Sequence, residues 1–313
     1  MRKFPRIGIG GAVLSALVCV QAARAASQAG PAGQAPAPAG FSKYADIKKM
    51  LQDLVQTHRG NARLVDVGQS DSGDRIYGIE IGSGTVRNLV VGTHHGNEYG
   101  STEVALGMAR SLADKPIPGQ TVYVIPVLNI SGYDSNNRYE KAGSDYFDPN
   151  RDYPGPCGTA GPFRLKSTKA LADFVATQGI VASATLHTFY PAVVYPWGIS
   201  SQDLSTPYDD LFKSLGQMAT RESQYPVGNS TQLIYPADGT YEDFAFWQHG
   251  VWSMLFELGK SHSPSKPEAE KMVAVNVPGI RRLLENSPRE RATDHAFRGR
   301  CDTRLRVLDR HDE

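Results

Sequence analysis

The sequence predicts a single α/β domain, with a mixed, mostly parallel, twisted sheet and helices on both faces. Short β-rich runs alternate with segments of helical periodicity along most of the chain, which is the pattern of such a sheet. The 313 residues suffice for one large α/β core or two small ones, and a hydrophobic content of 40% is ordinary for a globular chain. No internal repeat is visible.

The N-terminus comes first. Arg2, Lys3 and Arg6 precede an apolar run from Ile7 to Val20, and Ala23-Arg24-Ala25 offers small residues at the two positions a signal peptidase reads. Residues 1–25 therefore read as a secretory signal that sends the protein to a periplasmic or extracellular space. The run is broken by glycines and is shorter than the ~20 apolar residues of a span, so no stable membrane insertion is expected after cleavage. Lipid attachment at Cys19 is disfavoured because Val18, not a small residue, precedes it. Cleavage removes four basic residues (Arg2, Lys3, Arg6, Arg24) and no acid, so the formal net charge of +1 becomes −3 over the remaining 288 residues. Nothing basic is left that would suggest nucleic acid. Cleavage also removes Cys19 and leaves Cys157 and Cys301, which could form one disulfide in an oxidising compartment if their α-carbons approach within ~7 Å.

Residues 26–40 are nearly all Ala, Gly, Pro, Gln and Ser and read as a flexible leader. The folded domain is expected over 41–287. Ser42 can cap a helix whose Ile47, Leu51, Leu54 and Val55 share one face. Strands are expected at 64–67, 75–81 and 88–92, a helix at about 101–112, and a strand at 121–128. Thereafter 170–177 is helical, 180–186 extended, 207–220 helical, 251–257 extended and 267–285 helical. The last stretch, 288–313, is rich in Arg and Asp with few apolar residues, and a solvated or loosely docked charged tail is expected.

In open α/β sheets ligands gather beyond the carboxyl ends of strands. His95 follows Leu89-Val90-Val91 in a glycine-rich turn that carries Glu98 three residues later. Zinc takes imidazole nitrogen and carboxylate oxygen at roughly 2.0–2.2 Å and, in catalytic sites, keeps three protein ligands with a fourth position open. His-x-x-Glu supplies two such ligands. His187 follows Val181–Leu186, and Glu257 closes Trp252-Ser253-Met254-Leu255-Phe256. Singly, a histidine beside a strand is more often structural and a glutamate at a strand end is usually exposed; three ionisable groups at three strand ends are what a shared site looks like. An acid ending so apolar a run is partly desolvated, which raises its pKa toward the range of proton transfer. His94 adjoins His95. Alternation sends neighbours to opposite faces, and the spacing to Glu98 selects His95.

These segments carry a family resemblance. The chain resembles the pancreatic-type zinc carboxypeptidases from Asp66 to about Glu285, in eight segments that stand in family order. They are Gly68-Gln69-Ser70-x-x-Gly73, His95-x-x-Glu98, Asn129-x-x-Gly132-Tyr133, Asp148-Pro149-Asn150-Arg151, Leu186-His187-Thr188, Tyr195-Pro196-Trp197-Gly198, Ile234-Tyr235-Pro236-Ala237-x-Gly239 and Phe256-Glu257-Leu258. His-x-x-Glu alone is a weak signal; the eight together are strong.

The resemblance implies a bacterial secreted member that holds one zinc ion through His95, Glu98 and His187. Ligand type alone would also admit iron or cobalt. Asp148 would accept a hydrogen bond from the outer nitrogen of a ligand histidine, His95 first, and fix its tautomer. Glu257 would be the general base that deprotonates the attacking water and then protonates the leaving amine. Asn150 and Arg151 would bind the free C-terminal carboxylate of a peptide, and Tyr235 would cover the terminal residue. As bland alternatives, Asn150 and Arg151 form an ordinary turn and Tyr235 packs in a strand.

Two departures from the family pattern stand out. Where relatives have an arginine for the oxyanion, nine residues before the Asn-Arg pair, this chain has Lys141, with Arg138 close by. At the base of the side-chain pocket, seven residues after Tyr235, stands Glu242, which would favour Lys, Arg or another cationic group. The competing reading turns Glu242 to solvent and leaves Asp243 inside. The expected substrate is thus a peptide, preferably with a basic C-terminal residue. A second reading is a muropeptide bearing the amine of diaminopimelate. A non-catalytic peptide-binding relative is opposed by the intact His95, Glu98, His187 and Glu257, and a hydrolase of small N-acyl amino acids is less favoured by the Tyr195–Gly198 and Tyr235 segments.

Overall fold

A computed structural model describes residue 38 and residues 40–159, 161–202 and 204–301. The expected signal segment, Cys19, most of the leader and residues 302–313 lie outside the described residues.

The chain runs α1 (Tyr44–Thr57), β1 (Ala62–Gln69), β2 (Arg75–Gly82), β3 (Val86–Gly92), α2 (Tyr99–Asp114) and β4 (Gln120–Ile125). Next come a short helix α3 (Ile130–Asp134), the hairpin β5 (Glu140–Ala142) and β6 (Asp145–Phe147), and a 3₁₀ turn (Pro149–Arg151). Then follow α4 (Lys166–Gln178), β7 (Ala182–His187), β8 (Ala192–Tyr195), α5 (Asp209–Ala219), β9 (Val227–Asn229) and the single turn α6 (Ser230–Leu233). The described elements end with α7 (Tyr241–His249), β10 (Trp252–Glu257) and α8 (Lys266–Asn286).

Eight strands form one sheet in the order β1-β2-β4-β3-β7-β10-β8-β9. Its centre, β4-β3-β7-β10, is parallel, and β1, β2 and β8 pair antiparallel toward the edges. The mixed, mostly parallel α/β sheet is as the sequence predicts. Leu89, Val90 and Val91 are inaccessible to solvent, and all six residues of β7 are buried, which is what parallel strands covered on both faces require. Helices α2, α5 and α8 pack together on one side, whereas α4 and α7 pack together. Gly107 lets α2 and α8 approach closely, since a Cβ there would stand 2.6 Å from Val273.

The register places the site. His187 at the end of β7 pairs with Glu257 at the end of β10, and Gly92 at the end of β3 pairs with Leu186. Three parallel strands thus finish at one level, and the residues just past them share one edge.

Some elements differ from expectation. The strand expected at 121–128 stops at Ile125 because Pro126 has no N–H to donate. Helix α1 is capped at Lys43, whose N–H meets Asp46 at 3.3 Å, so Ser42 is not the cap. Strand β8 and helix α7 escape sequence reading for different reasons. β8 is only four residues long and stands between Pro191 and Pro196. α7 is buried on nearly every side from Tyr241 to Phe246 and so shows no polar stripe.

The tail is the larger correction. Residues 288–301 are docked, not loose. Arg291 donates to the carbonyls of Ile180 (2.7 Å) and Val175 (3.1 Å), and Trp252 donates to the Glu290 carbonyl at 2.8 Å. Phe297 packs on Trp197 with centroids 5.2 Å apart. Cys301 is bridged to Cys157 with α-carbons 5.5 Å apart. Few apolar residues are needed when main-chain carbonyls left over by other elements serve as acceptors.

Candidate metal centre

The turn after β3 is shaped by what its neighbours allow. Thr93 adopts φ 59°, held by its hydroxyl, which meets Thr102 (2.6 Å) and the Pro126 carbonyl (3.0 Å). A Cβ at Gly96 would stand 2.0 Å from the Gly132 backbone, so only glycine lets the turn pass the start of α3. Glu98 occupies the N-cap position of α2.

That turn brings His95 Nδ1 to 2.7 Å from Glu98 Oε1. From β7, His187 Nδ1 stands 3.1 Å from Glu98 Oε2 and 3.2 Å from His95 Nδ1. All three residues are buried. The outer nitrogen of His95 donates to Asp148 Oδ1 at 3.0 Å. That bond places the proton on Nε2 and leaves the Nδ1 lone pair facing inward. Two imidazole nitrogens and a carboxylate converging away from solvent are a donor set that a metal cation can occupy. A tetrahedral ion with bonds of about 2.0–2.1 Å sets its ligand atoms about 3.3 Å apart. Separations of 3.1 and 3.2 Å match, and 2.7 Å is somewhat tighter. The donor set therefore fits one zinc ion, and His95, Glu98 and His187 form the one cluster of this kind among the described residues.

The electrostatics divide the two histidines: burial and the Arg138 charge would lower His95, but Glu98 and Asp148 outweigh them and raise it. Burial would raise Glu98, but His95 and His187 hold its carboxyl well below the usual range. Burial likewise opposes ionisation of Asp148, and Arg138, His95 and Arg151 overcome it. His187 is lowered, chiefly by burial, and so favours the neutral form a metal needs. His94 turns away from the cluster. It stacks on His187 with centroids 5.4 Å apart, and its Nε2 lies 3.1 Å from the Tyr153 hydroxyl.

Glu257 stands half-buried across from His187. Burial, then the charges of Glu98 and Glu242, push its carboxyl well above the ordinary 4.5, against the pull of Arg138 and Arg151. Arg138 and Lys141, paired by sequence, part company here. Arg138 clasps Asp148 Oδ2 through Nε (3.1 Å) and Nη2 (2.9 Å), with Nη1 3.2 Å from His95 Nδ1. Lys141 stands exposed on the β5–β6 hairpin, its N–H bonded to the Ser131 hydroxyl at 3.1 Å. It is not brought to the cluster, because β5 carries Glu140 inward and its neighbour outward.

Asp148 also caps the 3₁₀ turn, accepting from the Asn150 N–H at 2.8 Å, and so ties the metal side of the site to the Asn150-Arg151 pair. Asn150 Oδ1 accepts from the N–H of Tyr241 at 2.9 Å. Arg151 Nη2 meets the Tyr235 hydroxyl at 3.1 Å, and Tyr235 is 47% exposed, so it is a surface side chain in a loop and not packed in a strand. Glu242 is 2% exposed, which excludes its turning to solvent, and Oε2 has no partner. Burial raises its pKa, against Arg151. Asp243 is buried as well and accepts from the Gly198 N–H at 2.9 and 3.1 Å.

His262 is a neighbour that sequence reasoning missed. Its Nδ1 lies 3.0 Å from the Thr188 hydroxyl, and its ring meets the half-exposed Phe189 edge-on at 4.9 Å. The available signal was its place five residues after Glu257, in the loop that leaves β10.

Comparison with known proteins adds a family. The zinc carboxypeptidase family profile matches residues 47–272. Carboxypeptidase SOL1 of Arabidopsis thaliana is 23% identical over 73% of this chain and 52% of its own length. Human carboxypeptidase B is 30% identical over 44% of this chain and 40% of its own. The chain therefore spans about half or less of these curated relatives. Among solved structures, bovine thrombin-activatable fibrinolysis inhibitor superposes with a TM-score of 0.72 at 16% identity, covering 78% of this chain and 96% of that one. The murein-tripeptide amidase MpaA of Escherichia coli O157 superposes with a TM-score of 0.51 at 15% identity, over 72% of this chain and 92% of its own.

Proposed function

Because the chain belongs to the zinc carboxypeptidase family, we propose that it is a zinc-dependent metallocarboxypeptidase that hydrolyses the C-terminal peptide bond of peptides. The observation that carries this reading is the convergence of His95 Nδ1, His187 Nδ1 and the Glu98 carboxylate beside the carboxyl of Glu257. His95, Glu98 and His187 would hold a zinc ion, which would supply Lewis acidity to acidify a water and polarise a carbonyl. Glu257, at the end of β10 across from His187, takes the proton of the attacking water and delivers it to the leaving amine. Arg138 serves the developing oxyanion, with Asp148 orienting its guanidinium. Asn150 and Arg151 bind the substrate's terminal carboxylate, and Tyr235, already touching Arg151, covers the terminal residue.

A basic terminal residue is the preferred substrate. Glu242 presents a buried carboxyl oxygen without a partner beside that clamp, and a Lys or Arg head would meet it. The same carboxyl would accept the amine of diaminopimelate, which keeps a muropeptide as the second reading. Digestion of a C-terminally varied peptide library and of purified muropeptides, with and without chelator, followed by mass spectrometry, separates the two. Loss of single C-terminal residues that chelator abolishes is expected; internal cleavage, or cleavage indifferent to chelator, would refute the proposal. His187→Ala is expected to lose zinc.

Export belongs to the same reading. The pattern of residues 1–25 supports it, and a Cys157–Cys301 bridge suits a periplasmic or extracellular location. N-terminal sequencing of the mature protein should begin at Ala26. No helix among the described residues is long and apolar enough to cross a membrane.

A further inference from the structure

The two histidines of the centre are unequally supported. The outer nitrogen of His95 has Asp148, but the outer nitrogen of His187 is buried and has no partner. A ligating imidazole normally gives that proton to an acceptor, which fixes its tautomer. Three other orphaned polar atoms lie in the same layer: Thr185 Oγ1, the Tyr241 hydroxyl and His94 Nδ1. Each belongs to a side chain that is fully buried.

Their placement is not scattered. Ser183, Thr185 and His187 alternate with Ala184 and Leu186 along β7 and so face one side of the sheet. Tyr241 lies by Ser183 on that side, and its ring is 5.7 Å from that of His94, which in turn stacks on His187. If His94 donates its Nε2 proton to the Tyr153 hydroxyl at 3.1 Å, its Nδ1 is an acceptor. Four buried polar atoms without partners on this side of the sheet, two donors and two acceptors, match the needs of one internal water, which typically makes two to four hydrogen bonds.

We propose that Thr185, with Tyr241 and His94, is a positioning residue for the metal: together they hold an internal water that accepts the Nε2 proton of His187 and so directs Nδ1 to zinc. The water receives protons from His187 and Tyr241 and gives its own to His94 Nδ1 and Thr185 Oγ1. This inference rests on the metal-site reading above.

The test is zinc affinity, measured on the full purified chain by competition with a chromophoric chelator, alongside thermal melting of the metal-free protein. Thr185→Val removes the hydroxyl and keeps the shape, and should weaken zinc binding by roughly 10- to 100-fold, the usual cost of losing a partner behind a ligand. Thr185→Ser restores the hydroxyl and should stay within about threefold of the parent by the same reasoning. Zinc binding by Thr185→Val equal to the parent, or equal losses in the Val and Ser variants, overturns the proposal. If Thr185→Val does not fold, Tyr241→Phe replaces it with the same two outcomes, weakened or unchanged zinc binding. His187→Ala separates the two levels of argument. Undiminished zinc binding there overturns the metal site itself, whereas its loss there with intact binding in the hydroxyl variants overturns only the water-mediated support.

Discussion

Glu257 is the residue on which the proposed chemistry turns. Its carboxyl is raised by burial and by the charges of Glu98 and Glu242, yet it is not a member of the ligand cluster. Glu257→Gln should therefore keep fold and zinc and lose roughly 10²- to 10⁴-fold in kcat; full turnover would remove it from the mechanism. Arg138 and Lys141 offer an internal control. Arg138→Ala should cost about 10²- to 10³-fold in kcat if its guanidinium meets the oxyanion, whereas the exposed Lys141→Ala should be silent in the same assay. Glu242→Ile should shift terminal preference from Lys and Arg toward apolar residues in the library digest, because a buried carboxyl is replaced by hydrocarbon. An unchanged profile would detach Glu242 from specificity.

At the scale of elements, the β5–β6 hairpin is anchored by a buried acid. Glu140 accepts a hydrogen bond from Ser167 at the start of α4, while its Oε1 has no partner. Burial pushes its pKa up to about 8 from 4.5. The folded state thus keeps a proton that the unfolded chain releases. The resulting stability is full below about pH 4.5 and is lost as pH rises through about 8. At about 1.4 kcal/mol per unit, the upper bound is on the order of 4–5 kcal/mol. Urea midpoints measured from pH 5 to pH 8.5 should fall more steeply in the parent than in Glu140→Gln; parallel slopes would show that Glu140 does not carry this proton. Since Arg138 leads into β5, the same anchor helps to hold the guanidinium at the cluster.

At the scale of the whole molecule, the docked segment 288–301 and the Cys157–Cys301 bridge join the last of the described residues to the loop that follows the Asn150-Arg151 pair. A cross-link spanning 144 residues removes more entropy from the unfolded chain than a short one. Cys301→Ser should lower stability by about 2–5 kcal/mol, read as a shift of the denaturant midpoint that added reductant reproduces in the parent. No shift with reductant would mean that the bridge contributes nothing.

The sequence by itself determined the class of sheet, the long helices and the strand ends that carry His95, His187 and Glu257. These rest on local periodicity and on the rule that sites gather at carboxyl ends. Tertiary structure decided the rest. Only packing showed that Arg138 turns in and Lys141 out, that Glu242 and Asp243 are both buried, and that residues 288–301 dock through main-chain carbonyls. A charged residue's direction depends on partners far away in the chain, as Asp148 is for His95, 53 positions apart, and no window of sequence contains both.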